Sequence, residues 1–165
     1  MIPPTCDARE ALQKIIFEIL RRYGGESAVT TRPANASSAQ LEAPVDPLLG
    51  VEVATLLTFQ LHRMISDYTR ESRGMGRSWN EVSRALRLDR EWAPEQASFD
   101  YVAGNPRPGM PWPSISWTCC SCGFRITDWG PESGSHPDDR ETGHAPDCDR
   151  HTTEIRKYLN HLNRE

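Results

Sequence analysis

The chain has 165 residues, with 37% hydrophobic side chains and a formal net charge of −4, enough for one domain or for a small domain with an appendage. A mean hydropathy of −0.63 describes a protein with much water-exposed surface. No apolar run is expected to cross a bilayer, since the longest, VEVATLLTFQLHRMI, is interrupted by polar and charged side chains, and the opening MIPPTCDARE lacks the order of a secretory leader. A cytoplasmic protein without a membrane partner is expected.

In chain order, the first predicted element is a helix over 7–22. Ala8, Ala11, Leu12, Ile15, Ile16, Ile19 and Leu20 recur at helical spacing, Asp7 can cap the start, and Gly24 with Gly25 ends it. Residues 24–47 are rich in Ser, Ala, Pro and Thr without a period, which predicts a disordered linker. A second helix is predicted over 48–72 from Val53, Leu57, Leu61, Met64, Ile65 and Tyr68, ended by RGMGR. Ser78, with Glu81 three residues on, has the capping-box arrangement for a short third helix, WNEVSRAL, with Trp79, Val82 and Leu86 on one face. Pro94 suits the first turn of a fourth helix reaching about Ala103. The Pro/Gly run at 105–115 predicts a linker and a domain boundary. From about Pro146 the helical period returns, with Cys148, Thr152, Ile155, Leu159 and Leu162 on one face. The expected fold is mainly α: a small helical domain over 1–104, then a small zinc-stabilised module over 116–165 that ends in a C-terminal helix.

The soft ligands are concentrated in that module. Residues 116–151 hold four of the five cysteines and three of the five histidines. Cys119-x2-Cys122-Gly123 is the tight turn through which two thiolates reach one ion, the glycine supplying positive φ, and His144-x3-Cys148 can add an imidazole and a third thiolate. The four make a closed Cys3His set suited to one structural Zn2+, which would staple a segment with few large apolar residues. His136 is the alternate ligand to His144, because its distance from Cys122 also suits a finger. Cys120 fits the spacing less well than Cys119, and His151 reads as a helix-surface residue or an outer donor. Three thiolates lower the Lewis acidity of the ion and four protein ligands leave no vacancy, and the H-x-E…P-C-x-x-C deaminase signature is missing, so a non-enzymatic role is expected.

Charge is unevenly spread. His62 to Arg90 holds seven arginines against four acids, and Gly123 to Asp149 two arginines against seven acids, which predicts two faces of opposite sign. SWNEVSRALRLD has the rhythm of the first helix and turn of a helix-turn-helix, with Trp79, Val82, Leu86 and Leu88 as apolar anchors. Arg70, Arg73, Arg77, Arg84, Arg87 and Arg90 are placed to meet phosphates, with Arg77, Arg84, Arg87 and Arg90 the candidate nucleic-acid contacts. Two features depart from the motif: Arg87 stands where glycine is usual, and the would-be recognition segment, DREWAPEQASFDYVAG, has four acids and one arginine.

SWNEVSRALRLD together with SWTCCSCGFRITDWGPESGSHPDDRETGHAPDC resembles a family of small proteins from GC-rich bacteria that join a helix-turn-helix-like segment to a zinc-ribbon-like C-terminus. The resemblance covers about 51–151 and rests on W-T-C-x2-C-G, T-D-x-G-P, H-P-x-D-x-E-x-G-H and the final cysteine. It implies zinc on Cys119, Cys122, a histidine and Cys148, and, by analogy with the helical half, binding of double-stranded DNA. Two expectations therefore stand together: a zinc-containing DNA-binding or regulatory protein, and a protein-protein adaptor with a structural zinc module and no nucleic acid. The sequence leaves oligomeric state open.

Overall fold

The computed structural model describes residues 6–33, 40–104 and 112–164. The fold is mainly α, with six α-helices among the described residues: α1 (Cys6–Gly24), α2 (Pro47–Gly74), α3 (Trp79–Leu86), α4 (Pro94–Ala103), α5 (Pro137–Arg140) and α6 (Asp149–Leu162). Five short strands accompany them: β1 (Val29–Pro33), β2 (Gln40–Pro44), β3 (Ile115–Thr118), β4 (Arg125–Asp128) and β5 (Glu141–Thr142). The chain divides into two compact units, Met1–Leu61 and His62–Glu165, with α2 contributing residues to both.

In the first unit, α1 buries Phe17 and Leu20 against Ala28, with Ile16, Val29, Leu49 and Val53 packed around them. The buried face of α1 is thus narrower than the expected stripe, and Leu12 and Ile15 are exposed. The segment expected to be a disordered linker folds in its described part: a 3-10 turn at Glu26–Ala28 leads into β1, which pairs antiparallel with β2 from Val29 opposite Pro44 to Pro33 opposite Gln40. β-branched Val29, Thr30 and Thr31 favour the extended chain, and a two-stranded ribbon needs little apolar content when a helix covers it. Residues 34–39 of that linker lie outside the described residues.

The second unit holds one core. Trp79 and Val82 of α3 and Phe99 and Val102 of α4 pack with Ile115, Trp117, Cys119, Ile126 and Cys148. The helices expected to form a domain apart from the metal module therefore share its interior, and the boundary expected at 105–115 falls inside this unit, with 105–111 outside the described residues. The shortage of large apolar residues in the C-terminal third is met by side chains from α3 and α4. Strands β3, β4 and β5 form an antiparallel sheet in that order, with Trp117 opposite Ile126 and Asp128 opposite both Ile115 and Glu141. The sequence reading assigned no strands here, although Ile115/Trp117 and Ile126/Asp128 alternate with more exposed neighbours at period two.

Helix α3 begins as expected, with the Ser78 side chain accepting from the Glu81 N–H at 3.2 Å and Glu81 accepting from the Ser78 N–H at 2.8 Å. Helix α6 begins at Asp149, after a turn in which the Cys148 N–H donates to Ala145 O, rather than at Pro146. Helix α2 departs from two expectations. It is long and apolar enough, by length and composition, to cross a membrane. Its last turns bury Ser66, Thr69, Arg73 and Gly74 while Met64 and Tyr68 are exposed, so the polar face is the packed one.

Candidate metal centre

The hairpin of β3 and β4 builds half of the centre. Between the strands, Cys119 O accepts from the Gly123 N–H at 2.8 Å and the Cys119 N–H donates to Phe124 O at 2.9 Å. Gly123 has φ 73, the left-handed conformation that glycine adopts without cost. This closed turn points Cys119 and Cys122 to one side. The other half comes from the chain after β5: His144 follows the strand after one residue, Gly143, and Cys148 is the N-cap of α6.

The donor atoms of Cys119, Cys122, His144 and Cys148 all lie within 4.8 Å of one another, a group that can hold a metal ion. Three of the separations are 3.9 Å for Cys119 Sγ to Cys148 Sγ, 3.4 Å for Cys148 Sγ to His144 Nδ1 and 3.9 Å for Cys122 Sγ to His144 Nδ1. With bonds of about 2.3 Å to sulfur and about 2.0 Å to nitrogen, a tetrahedral ion such as zinc sets its ligands about 3.5 to 3.8 Å apart. These three edges lie within about 0.4 Å of that size. Cys119 and Cys148 are buried, and the His144 side chain is 2% exposed.

His136 takes another role. It caps α5, accepting from the Asp138 N–H at Nδ1, and its ring packs edge-on to Tyr158. Cys120 is exposed and its N–H donates to Gly74 O at 3.1 Å. His151 stacks on His144 with ring centroids 4.6 Å apart and bonds Asp138 through Nε2.

The thiols are electrostatically unlike. The Ala145 N–H, with the Phe124 N–H and the His144 and Cys148 side chains, holds Cys122 down at about 6 against partial desolvation. Burial pushes the Cys119 thiol up, opposed by the N–H groups of Cys122 and Ser121.

Behind the donors stands a buried relay that sequence reasoning missed. His144 Nε2 is 3.0 Å from Glu141 Oε2, which leaves Nδ1 as the nitrogen facing the sulfurs. Glu141 Oε1 is paired with Arg73 Nη2 and lies 3.4 Å from Arg150 Nη2. Arg73 Nε donates to Asp128 Oδ2 at 3.0 Å, and the same oxygen accepts from the indole N–H groups of Trp79 at 3.2 Å and Trp117 at 3.3 Å. Asp128 Oδ1 accepts from the Gly130 N–H. Asp128 is 1% exposed and Arg73 6%, so the charges are buried and matched. Arg73 thus corrects the expectation that it meets phosphate, and Glu141 takes part in the same buried network. The sequence offered one signal for the Glu141–His144 contact, the three-residue spacing between them; the strand pairing that sets Glu141 beside Asp128 appears only in the fold.

The helix-turn-helix expectation meets a different geometry. Arg87 caps α3 in the left-handed conformation at φ 61, but the connection runs from Arg87 to Ala93, longer than the usual three- to four-residue turn. Helix α4 buries Ser98, Phe99 and Val102, and its charged residues are Glu95 and Asp100. Arg84, Arg87 and Arg90 are exposed, and Arg77 Nη1 is paired with Glu81 at 2.8 Å. Comparison with protein-family models, with curated proteins and with solved structures finds no match.

Proposed function

We propose that this chain is a non-enzymatic binding protein whose second unit is closed by one structural zinc ion on Cys119, Cys122, His144 and Cys148. The observation that carries the reading is the mutual approach of three sulfurs and one imidazole nitrogen to within 4.8 Å of one another, beside one buried cluster. Three thiolates select a soft divalent ion and quench its Lewis acidity, and four protein donors leave no position for a reacting water. Reduced thiolates suit a cytoplasmic setting. Zinc content measured on purified variants tests this: His144→Ala is expected to lose the ion and His136→Ala to keep it. Full retention by His144→Ala contradicts the assignment.

The partner this geometry favours is a protein. A groove of about 410 Å³ between α2 and α3 is lined by Ile65, Tyr68, Val82, Ala85 and Leu86, with Arg77 and Glu81 among its charged lining. Tyr68 is 61% exposed beside it, the kind of apolar slot into which a partner's amphipathic helix docks. A partner that binds the wild-type chain is expected to be lost on Tyr68→Asp with zinc content unchanged. Double-stranded DNA is the second reading, favoured by the exposure of Arg84, Arg87 and Arg90 around the end of α3. On that reading duplex affinity falls steeply with salt and weakens in Arg84→Ala/Arg87→Ala; no binding to a mixed duplex pool at low salt removes it.

A further inference from the structure

A cavity of about 540 Å³ opens between α4, the 3-10 turn at Pro131–Ser133 and the chain entering β3. None of the four metal donors lines it. Its lining includes two tryptophans, Trp112 and Trp129, together with Pro113, and two carboxylates, Asp100 and Glu132. Among the described residues, no lysine, arginine or histidine lies on it. Neither carboxylate forms an ion pair among the described residues, whereas Glu141 and Asp128 nearby in sequence are fully engaged.

The walls are held in place. The Trp129 indole N–H donates to Thr142 Oγ1 at 3.2 Å, which fixes the plane of that ring. Gln96 joins the two acidic walls: its amide nitrogen donates to Asp100 Oδ1 at 2.8 Å, and its amide oxygen accepts from the Glu132 N–H at 3.2 Å. Trp112 is 70% exposed, a large apolar surface left to water at the mouth.

The chemistry of such a wall selects its ligand. Carboxylates without neighbouring cations repel anions, and a compact hydrated ion gains nothing from indole. A cation whose charge is spread over methyl groups satisfies both, through cation–π attraction to the rings and long-range attraction to the acids. We propose that this cavity binds an alkylated ammonium head group, with Trp112 and Trp129 as its aromatic contacts and Asp100 and Glu132 as its counter-charges.

The test uses the zinc-loaded full chain and follows the Trp129 indole N–H signal by NMR during titration with choline, with its neutral tert-butyl isostere, and with a trimethyllysine amide. Saturable shifts are expected with the two cations and not with the isostere. Trp112→Ala and the pair Asp100→Asn/Glu132→Gln, all at exposed positions, should each weaken choline binding by about tenfold while zinc content stays that of wild type. Tighter binding of the trimethyllysine amide assigns a modified side chain of a partner protein as the source, and tighter binding of choline assigns a free ammonium compound. Equal binding of the neutral isostere, or no saturable shift with either cation, overturns the proposal. Because zinc content is measured on every sample, its failure is distinguishable from failure of the metal assignment.

Discussion

Glu141 carries two roles at once, orienting His144 from Nε2 and neutralising Arg73. Carboxylates that orient a ligating histidine commonly raise metal affinity about 10- to 100-fold, so Glu141→Ala should weaken zinc binding by that factor. Glu141→Gln, whose amide oxygen can still accept from Nε2–H, should recover part of it; competition with a chromogenic chelator reads both. Removing the other end of the relay is more damaging, because Asp128→Ala leaves Arg73 Nε and the indole N–H groups of Trp79 and Trp117 buried without their shared acceptor, at about 3 to 5 kcal/mol. Denaturant midpoints check this. The four donors were legible in the sequence because soft ligands at two tight spacings have few other uses. The relay was not, because its contacts join Arg73 to Asp128 and Glu141 across 55 and 68 positions and nothing local marks them.

Among the elements, α3 follows most directly from its residues. Ser78→Ala breaks the capping box and should cost about 1 kcal/mol by thermal or denaturant unfolding. Glu81 is held at about 2, first by the Ser78 N–H and then by Arg77, against a usual 4.5. Its folded-state value is depressed, so its contribution is present above pH 4.5 and is lost as pH falls toward 2. Glu81→Ala should therefore flatten the loss of stability across that window, and an unchanged acid limb would refute the assignment. The end of α2 meets β3 at Gly74, where an added Cβ would stand 2.5 Å from Thr118 O. Gly74→Ala should push the two apart at a cost of about 1 to 3 kcal/mol. Helices were readable because their apolar spacing persists over several turns. The four-residue strands were not, since two alternations make a weak pattern, and the β1–β2 ribbon is built from a Thr- and Pro-bearing stretch that composition reads as linker.

At the scale of the molecule, the sequence separates a basic stretch at 62–90 from an acidic one at 123–149 and invites a picture of two opposed faces. Part of that charge meets inside the second unit, where Arg73 joins Asp128 and Glu141, and Arg150 lies over the Trp117 ring at 4.4 Å while its Nη1 donates to Arg73 O. The expected boundary at 105–115 failed for the same reason: long-range pairing and a common apolar cluster bind α3 and α4 to the metal hairpin, which a linear reading of linkers does not see. On the proposed reading, zinc bound there would act on the whole unit rather than on a detachable module. An ion present at about a thousandfold over its Kd stabilises the folded state by about 4 kcal/mol. Tryptophan fluorescence of Trp79 and Trp117 during thermal unfolding, with stoichiometric zinc and after exhaustive chelation, tests this most directly. A single transition is expected, with a midpoint that rises with free zinc, collapses on chelation and is restored by adding the ion back. An unfolding curve identical in zinc and in chelator would contradict it.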